Sequence, residues 1–540
     1  MPNRLQHWLT FCLIAGASAL AHALPTPENA TATAVNLPLQ ITVGAAASAL
    51  DVDGNARRYQ QYVTAPEGPY LTLLGLQYLS PTGRLLVDAA GRNIGEPSVD
   101  GSAWLAAGGN AAVLTGRERN SRFFRDWSAG ADPFKRNDQN YELSLNAGPG
   151  DLRFSYDTVS LAQQGLAPEE NWNSRTRGVG YLADLGGWQA GAGFDREAFT
   201  FFEGAQFSGD TEAFRFSFSP PSTGRTAVEA HGALLQTSFD ALDDAQRANT
   251  IDLRAVHLLN PDLSLIGSLS RKEITDTIIQ NAYVRRNFGG EVRAQYRGLP
   301  RTTLEVGGLR RNVDYVVQTQ TATQTTEQTG LFARGTTRLG KQLKLRLQHR
   351  QLWTDNQPIA LDVAGEPIGS LVWASKRDTQ AELTYAPTWR TGLTGRYRTL
   401  RWTNDDFDTD NGLTAKSLTG WWLPYDYMTV YATYLNQDFD LDGITLDTGR
   451  YTTGDETFVF GASMQASPRL LLDVAATSTR ARGATAVDLQ NLWLGIGYTL
   501  KNGVRLGLRT SFGDFETSDE ASLLDYDANR FELGVSGIVF

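Results

Sequence analysis

From about residue 135 onward the chain repeats one pattern: short segments in which apolar and polar side chains alternate. In Asn491 to Leu500, the residues Leu492, Leu494, Ile496, Tyr498 and Leu500 fall on one face, and Asn491, Trp493, Gly495, Gly497 and Thr499 on the other. Lys501-Asn502-Gly503 follows, with the Asn-Gly pair that suits a tight hairpin turn. The next segment puts Val504, Leu506, Leu508, Thr510 and Phe512 opposite Arg505, Gly507, Arg509 and Ser511. Leu343, Leu345 and Leu347 oppose Lys344, Arg346 and Gln348 in the same way, and Leu152, Phe154 and Tyr156 oppose Arg153 and Ser155. A period of two belongs to β-strands with two unlike faces, so few folds fit a chain built from it.

Two architectures satisfy that period. One is a soluble β-sandwich or secreted adhesin; the other is a membrane barrel. The segments run about 9–13 residues, enough for a tilted strand to cross a bilayer. Short turns fall near Gly148-Pro149-Gly150, Asn260-Pro261-Asp262, Ala386-Pro387 and Ser467-Pro468, among others, and longer polar stretches such as 159–175, 274–287 and 355–375 separate them. Outer-membrane barrels have this alternation, with short turns on the periplasmic side and longer loops outside. Trp421, Trp422, Tyr425 and Tyr427 crowd one short turn, as an interfacial aromatic girdle would. The chain ends at Phe540, and a terminal aromatic is expected to serve as the signal for barrel assembly. The expected fold is therefore all-β: a transmembrane antiparallel up-and-down barrel in the bacterial outer membrane, with lipid as a partner.

The N-terminus agrees with export. Arg4 supplies a positive start, Trp8 to Leu20 an apolar run, and Ala19-Leu20-Ala21 or Ala21-His22-Ala23 a cleavage site, so residues 1–23 read as a signal peptide. Residues 24–37 then form a short periplasmic segment and 38–540 a single barrel. The one cysteine, Cys12, lies in the signal, which leaves the mature chain without a disulfide, thiolate metal site or haem-attachment motif. Taking away Arg4 leaves a mature net charge of −11, and no Lys/Arg run suggests nucleic-acid binding. Past residue 23 no apolar run is long enough for a helical span.

Counting strands sets the expected width. Twenty-one fall after residue 138, and five weaker candidates precede them at about 38–49, 69–80, 83–91, 99–107 and 110–118. The expected total is about 26, with 22 or 24 as the alternatives because the first strands are rich in Ala and Gly. Barrels of about 22 strands already need a plugged lumen. Only a short stretch separates the signal from the first strand, so the occupant is expected to be another polypeptide.

Segments such as Ala386-Pro387-Thr388-Trp389-Arg390-Thr391-Gly392-Leu393-Thr394-Gly395-Arg396-Tyr397-Arg398, followed by Asn404-Asp405-Asp406, resemble the MtrB/PioB family. Leu304 to Tyr315 has a similar texture. The resemblance is one of pattern spread over most of the mature chain. It implies a sheath barrel around a periplasmic multihaem c-type cytochrome, carrying electrons across the outer membrane, with haem in the partner and none in this chain. Some members carry an N-terminal Cys-x-x-Cys that this chain lacks.

Chemistry-bearing motifs are sparse. His231, His257 and His349 are isolated, no catalytic constellation or phosphate-binding loop appears, and no enzymatic activity is expected. Asp438-Phe439-Asp440-Leu441-Asp442-Gly443 matches the first half of a calcium loop, which makes Asp438, Asp440 and Asp442 the candidate metal ligands. Position twelve of that loop is Gly449 and not Glu, so a complete EF-hand is excluded. Asp405, Asp406, Asp408 and Asp410 form a similar cluster without the glycine. Lys344, Arg346, Arg350, Arg390, Arg396, Arg398, Arg505 and Arg509 take expected lumen positions, where they would meet an acidic partner or favour anions. Two functions follow: a sheath for a cytochrome, or a passive porin for anionic or bulky solutes.

Overall fold

The structure is a computed structural model. It describes residues 39–56, 59, 68–94, 99–108, 111–123, 134–163, 172–201, 207–221, 224–240, 245–275, 283–316, 323–357, 359–361, 367–370, 372–404, 409–441, 451–482, 486–517 and 525–538. The signal peptide, the segment 24–37 and Phe540 lie outside these residues, as do Asp405, Asp406 and Asp408.

Twenty-six strands form one antiparallel sheet, each beside its neighbour in sequence. The sheet closes on itself. The first strand, Leu39–Gly54, pairs with the last, Tyr526–Ile538, from Thr42 opposite Ile538 to Gly54 opposite Tyr526. Closure removes both sheet edges, which is what allows strands to span a membrane without unpaired backbone groups. The expected total of about 26 is met, and the five N-terminal candidates are the strands Leu39–Gly54, Gly68–Leu79, Leu85–Ile94, Asp100–Ala107 and Ala112–Phe123. Tight turns join the strands at one rim. At Gly186 and Gly187, φ is 67° and 91°, so both central positions need the left-handed freedom of glycine. At Asn502-Gly503, the Gly503 N–H donates to Leu500 O at 3.1 Å.

The apolar face points outward. Ile496, Leu508 and Leu533 lie side by side in register and are 48%, 45% and 65% exposed. Val292 and Val306, on adjacent strands, are 62% and 61% exposed. Each such side chain left in water forgoes about 1.5–3 kcal/mol, so a continuous belt of them belongs in hydrocarbon. Among the described residues, the only large side chains buried below 2% are Phe515 and Thr326. The soluble sandwich reading is thereby overturned, because a sandwich buries its apolar faces between two sheets and this single closed sheet leaves them outside. The protein is a barrel of the bacterial outer membrane.

Two rows of aromatic residues bound the belt. Trp389, Trp422, Tyr425 and Tyr427 are exposed near the short turns, with Tyr425 and Tyr427 stacked at 5.0 Å. Tyr141 and Tyr156 stack at 6.3 Å further up the wall, on the level of Tyr397 and Tyr434 counted from the turns. Trp421 does not join the girdle. Strand alternation turns it to the lumen, where its ring lies over Gly392, so close that a Cβ on Gly392 would collide with Trp421 Cζ2.

The strands run further than their apolar alternation. The long connection expected over 159–175 shrinks, because strands Gly150–Gln163 and Trp172–Leu185 fill much of it, and strands Trp188–Phe201 and Phe207–Ser219 likewise run close to each other in sequence. The outward residues of these extensions are charged: Arg196 pairs with Asp210 at 3.0 Å, Arg286 with Asp314 at 2.9 Å, and Arg480 with Asp488 at 3.1 Å. The ladder continues above the hydrocarbon, and its outer side is wet there. The 355–375 connection also carries a small hairpin, Ile359–Leu361 with Pro367–Ser370, outside the barrel sheet.

Candidate functional site: the lumen wall

Twenty-six strands spaced about 4.8 Å apart and tilted about 40° make a ring about 50 Å across between backbones. Side chains reduce that to roughly 40 Å if the ring is round. The wall facing this space is the polar face of each strand.

Register places Lys344, Arg346 and Arg350 on the lumen face of Leu343–Asp355, opposite in orientation to Leu345 and Leu347. On Thr391–Asn404, Arg396 and Arg398 face the lumen, and both are paired with the neighbouring strand. Arg396 Nε donates to Glu382 Oε2 at 3.0 Å, and Arg398 holds both oxygens of Asp378 at 3.0 and 2.8 Å. Arg505 and Arg509 share the lumen face of Arg505–Thr517, with Arg509 between Gly495 and Glu532 in register. Glu532 also accepts from Arg530 at 2.8 Å, and Arg530 reaches the Tyr70 hydroxyl at 3.5 Å. Arg390 departs from the expected lumen wall. It sits in the short turn, paired with Asp426 at 2.5 Å and stacked over Trp389 with 4.9 Å to the ring centroid.

The same register adds basic lumen residues that the pattern contained and the first selection passed over: Arg311, Arg334, Arg338 and Lys376. Arg334 lies 3.6 Å from Glu305. Alternation within Thr302–Val316, Thr323–Leu339 and Ser375–Thr388 was the signal that could have found them.

Among the described residues, one buried cluster on the lumen face is apolar. At the long-connection rim Leu489, Phe515, Tyr526 and Ala528 turn inward and form an apolar cluster, with Leu50, Val52 and Val487 packed against it. Tyr59, just beyond the end of the first strand, closes over it at 3% exposure, edge-on to Tyr526 at 5.5 Å. Its N–H donates to Asn55 O at 3.2 Å, one helical turn back. Burial lifts the Tyr59 phenol above its ordinary value of 10.0, against the opposing pull of Arg530 and a hydrogen bond with Ser511. The cluster straddles the seam where the first and last strands meet, so it fastens the closure of the barrel.

The histidines remain apart. His231 faces the lumen opposite Asp252, whereas His257 and His349 face outward and hydrogen-bond Thr226 at 2.8 Å and Thr379 at 2.9 Å. Asp438 and Asp440 are residues of the strand Met428–Leu441 and not of a loop; both point outward, and Asp442 lies outside the described residues. No group of three or more His, Cys, Asp or Glu side chains suited to a metal occurs among the described residues.

A closed antiparallel wall of this width, apolar outside and charged within, defines the protein as a wide outer-membrane β-barrel. No family model matches the chain, and no curated protein matches it. Among solved structures it is similar to a point mutant of the ferric enterobactin receptor PfeA of Pseudomonas aeruginosa, at 10% identity and a TM-score of 0.49, over 92% of this chain and 80% of that one. It is also similar to the FrpB iron transporter (F3-3 variant) of Neisseria meningitidis, at 9% identity and 0.47, over 75% and 79%. A third likeness is to the siderophore receptor PirA of Pseudomonas aeruginosa, at 10% and 0.45, over 93% and 80%.

Proposed function

We propose that this barrel is a sheath: it encloses a periplasmic multihaem c-type cytochrome and insulates the passage of electrons across the outer membrane. The observation that carries the reading is the width of the wall. A ring about 50 Å across takes in a folded domain of about 100 residues, whose diameter is about 34 Å for a radius of gyration near 13 Å. The sequence resemblance to the MtrB/PioB family supplies the identity of the occupant. The haem would reside in the partner, and this chain would contribute a dry outer belt and a polar inner wall.

A second reading, a passive porin for anionic or bulky solutes, is favoured by Lys344, Arg346 and Arg350 of the lumen wall, which form no ion pair within 4 Å among the described residues. The two separate in one experiment. The barrel is purified from native outer membranes under mild detergent and stained for haem, and the same preparation is reconstituted in planar bilayers. A sheath co-purifies with a haem protein in fixed ratio and conducts few ions. A haem-free preparation with large, stable conductance overturns the sheath and supports the porin.

A further inference from the structure

We infer that the enclosed polypeptide docks on one arc of the lumen, the strands from Thr302–Val316 to Thr391–Asn404, and that it presents an acidic surface to that arc. This rests on the sheath reading. The charge of the lumen is strongly one-sided. Along this arc Arg311, Arg338, Lys344, Arg346, Arg350 and Lys376 face inward, and none of them has an ion pair among the described residues. Arg334, Arg396 and Arg398 face inward too and form the ion pairs of the arc's three inward carboxylates, Glu305, Glu382 and Asp378; Arg346 and Arg350 stand opposite Glu382 and Asp378 in register, so each of these two carboxylates serves more than one cation.

The far side differs. From Gly68–Leu79 to Phe134–Ala147, the inward Arg92, Arg117, Arg119 and Arg136 are matched by Asp88, Asp100, Asp138 and Glu142. Two of these matches are direct ion pairs, Arg117 with Asp100 at 3.0 Å and Arg136 with Asp138 at 2.8 Å. On the next three strands Asp151, Asp157, Asp195 and Glu197 face inward with Arg153, and Arg215 of the strand after them answers Asp195 at 2.9 Å. A lumen that needed only polarity would distribute its charges as the far side does.

The arc is also costly to the barrel itself. Arg338 and Lys344 are directly opposite in register, and like charges so placed destabilise a sheet. Arg350 Nε is buried with no hydrogen-bond partner, on the strand that carries Lys344 and Arg346. Between these cations the wall is kept low: the Phe332 ring lies over Gly307, so close that a Cβ there would meet Phe332 Cζ at 2.6 Å. A wall that sets nine inward cations against three carboxylates among the described residues is matched by an extended acidic face of a partner. A folded occupant with one acidic side would be held against this arc and leave the balanced side free.

The test uses a photo-crosslinking amino acid, p-benzoylphenylalanine, placed singly in the full chain in its native outer membrane. Thr336 and Thr384 report the arc, and Ser102 and Thr115 report the far side at similar distances from the short turns. The expected result is one crosslinked polypeptide from both arc positions, joined through an acid-rich peptide. Its yield should be at least about fivefold above that from Ser102 or Thr115, and should fall about as much in 1 M salt, where screening reaches within about 3 Å. A double variant, Lys344→Glu with Arg346→Glu, should lose the Thr336 crosslink while keeping the heat-modifiable gel mobility of an assembled barrel. Equal yields from both sides overturn the one-sided dock and leave the sheath standing. A crosslinked peptide without acidic residues, or yields indifferent to salt, overturn it as well. No polypeptide at any of the four positions overturns the dock and the sheath together, and capture of an anionic polymer in its place supports the porin.

Discussion

Leu508→Arg puts the orientation of the wall to a quantitative test. Leu508 lies on the strand Arg505–Thr517, between Ile496 and Leu533 in register, with all three side chains turned outward. It stands four residues past Val504 at the short turn, which at about 3.4 Å per residue and about 40° of tilt is roughly 10 Å up the wall. In a belt about 25 Å tall that is close to the midplane, where an arginine on the lipid face costs about 2–4 kcal/mol. The folded-to-unfolded ratio should then fall by about 30- to 1,000-fold. The control is one residue away. Gly507 faces the lumen, and a Cβ there meets nothing within 4 Å, so Gly507→Gln should cost less than about 0.5 kcal/mol. Both variants are folded into lipid vesicles and titrated with guanidinium chloride, with tryptophan fluorescence and gel mobility as probes. Equal costs for the two substitutions, or a cost below about 0.5 kcal/mol for Leu508→Arg, would refute the assignment of this face to lipid.

Cysteines introduced singly at Leu506 and Arg505 into the cysteine-free mature chain should label oppositely in vesicles: position 506 with a membrane-partitioned maleimide, position 505 with a water-soluble one in an empty lumen and with neither when the lumen is filled. Gly392→Ala should displace the Trp421 ring from the wall and cost about 1–3 kcal/mol, seen as a shifted tryptophan emission and a lower denaturation midpoint; an unchanged spectrum would contradict the contact. Phe515→Ala removes the most buried ring of the seam cluster and should cost about 3–5 kcal/mol, with hydrogen exchange rising in Leu39–Gly54 and Tyr526–Ile538 before other strands. Because the Tyr59 phenol is raised in the folded state, the stability it lends is fully present below pH 10 and is lost as pH climbs through the raised value. The native protein should therefore loosen at the seam above pH 10, read by hydrogen exchange, and a Tyr59→Phe variant should not; equal exchange in both would contradict the reasoning.

Fold and strand number were legible because the period of two is imposed by physics on every spanning strand. Leu492, Leu494 and Ile496 had to share a face if one side met lipid, and that face is the exposed one. What the pattern marks is the thickness of hydrocarbon and not the length of the strand. Above Tyr156 the outward residues become Thr158 and, across the pair, Arg177 and Arg175, so the apolar signal stops while backbone pairing continues to Gln163. The long connections read from sequence were for this reason partly strand, and Asp438 and Asp440, taken as loop ligands, are outward residues of an extended strand end. Trp421 was misplaced for a related cause. Beside Trp422 it reads as girdle, but neighbouring residues on a strand face opposite sides, and a glycine on the adjacent strand gives the inward ring a bed.

The lumen was legible residue by residue and not as a surface. Alternation alone assigned Lys344, Arg346, Arg396 and Arg398 to one side of their strands. Which of them carry free charge depends on register between strands, and register is set by pairing that a single strand does not encode. Arg396 meets Glu382 fourteen residues away and Arg398 meets Asp378 twenty residues away, so both cations are answered locally. Lys344 meets Thr384 on one side and Arg338 on the other, so its charge is left to the lumen. The seam cluster was the least legible part, since Leu489, Phe515 and Tyr526 violate the polar-inside rule that made the rest readable. They do so where closure demands it. The first and last strands are the one neighbouring pair that no connection joins, and the pairing Thr42–Gly54 with Tyr526–Ile538 must form across almost the whole length of the chain. An apolar patch covered by Tyr59 adds burial energy at the junction with the largest loop-closure cost.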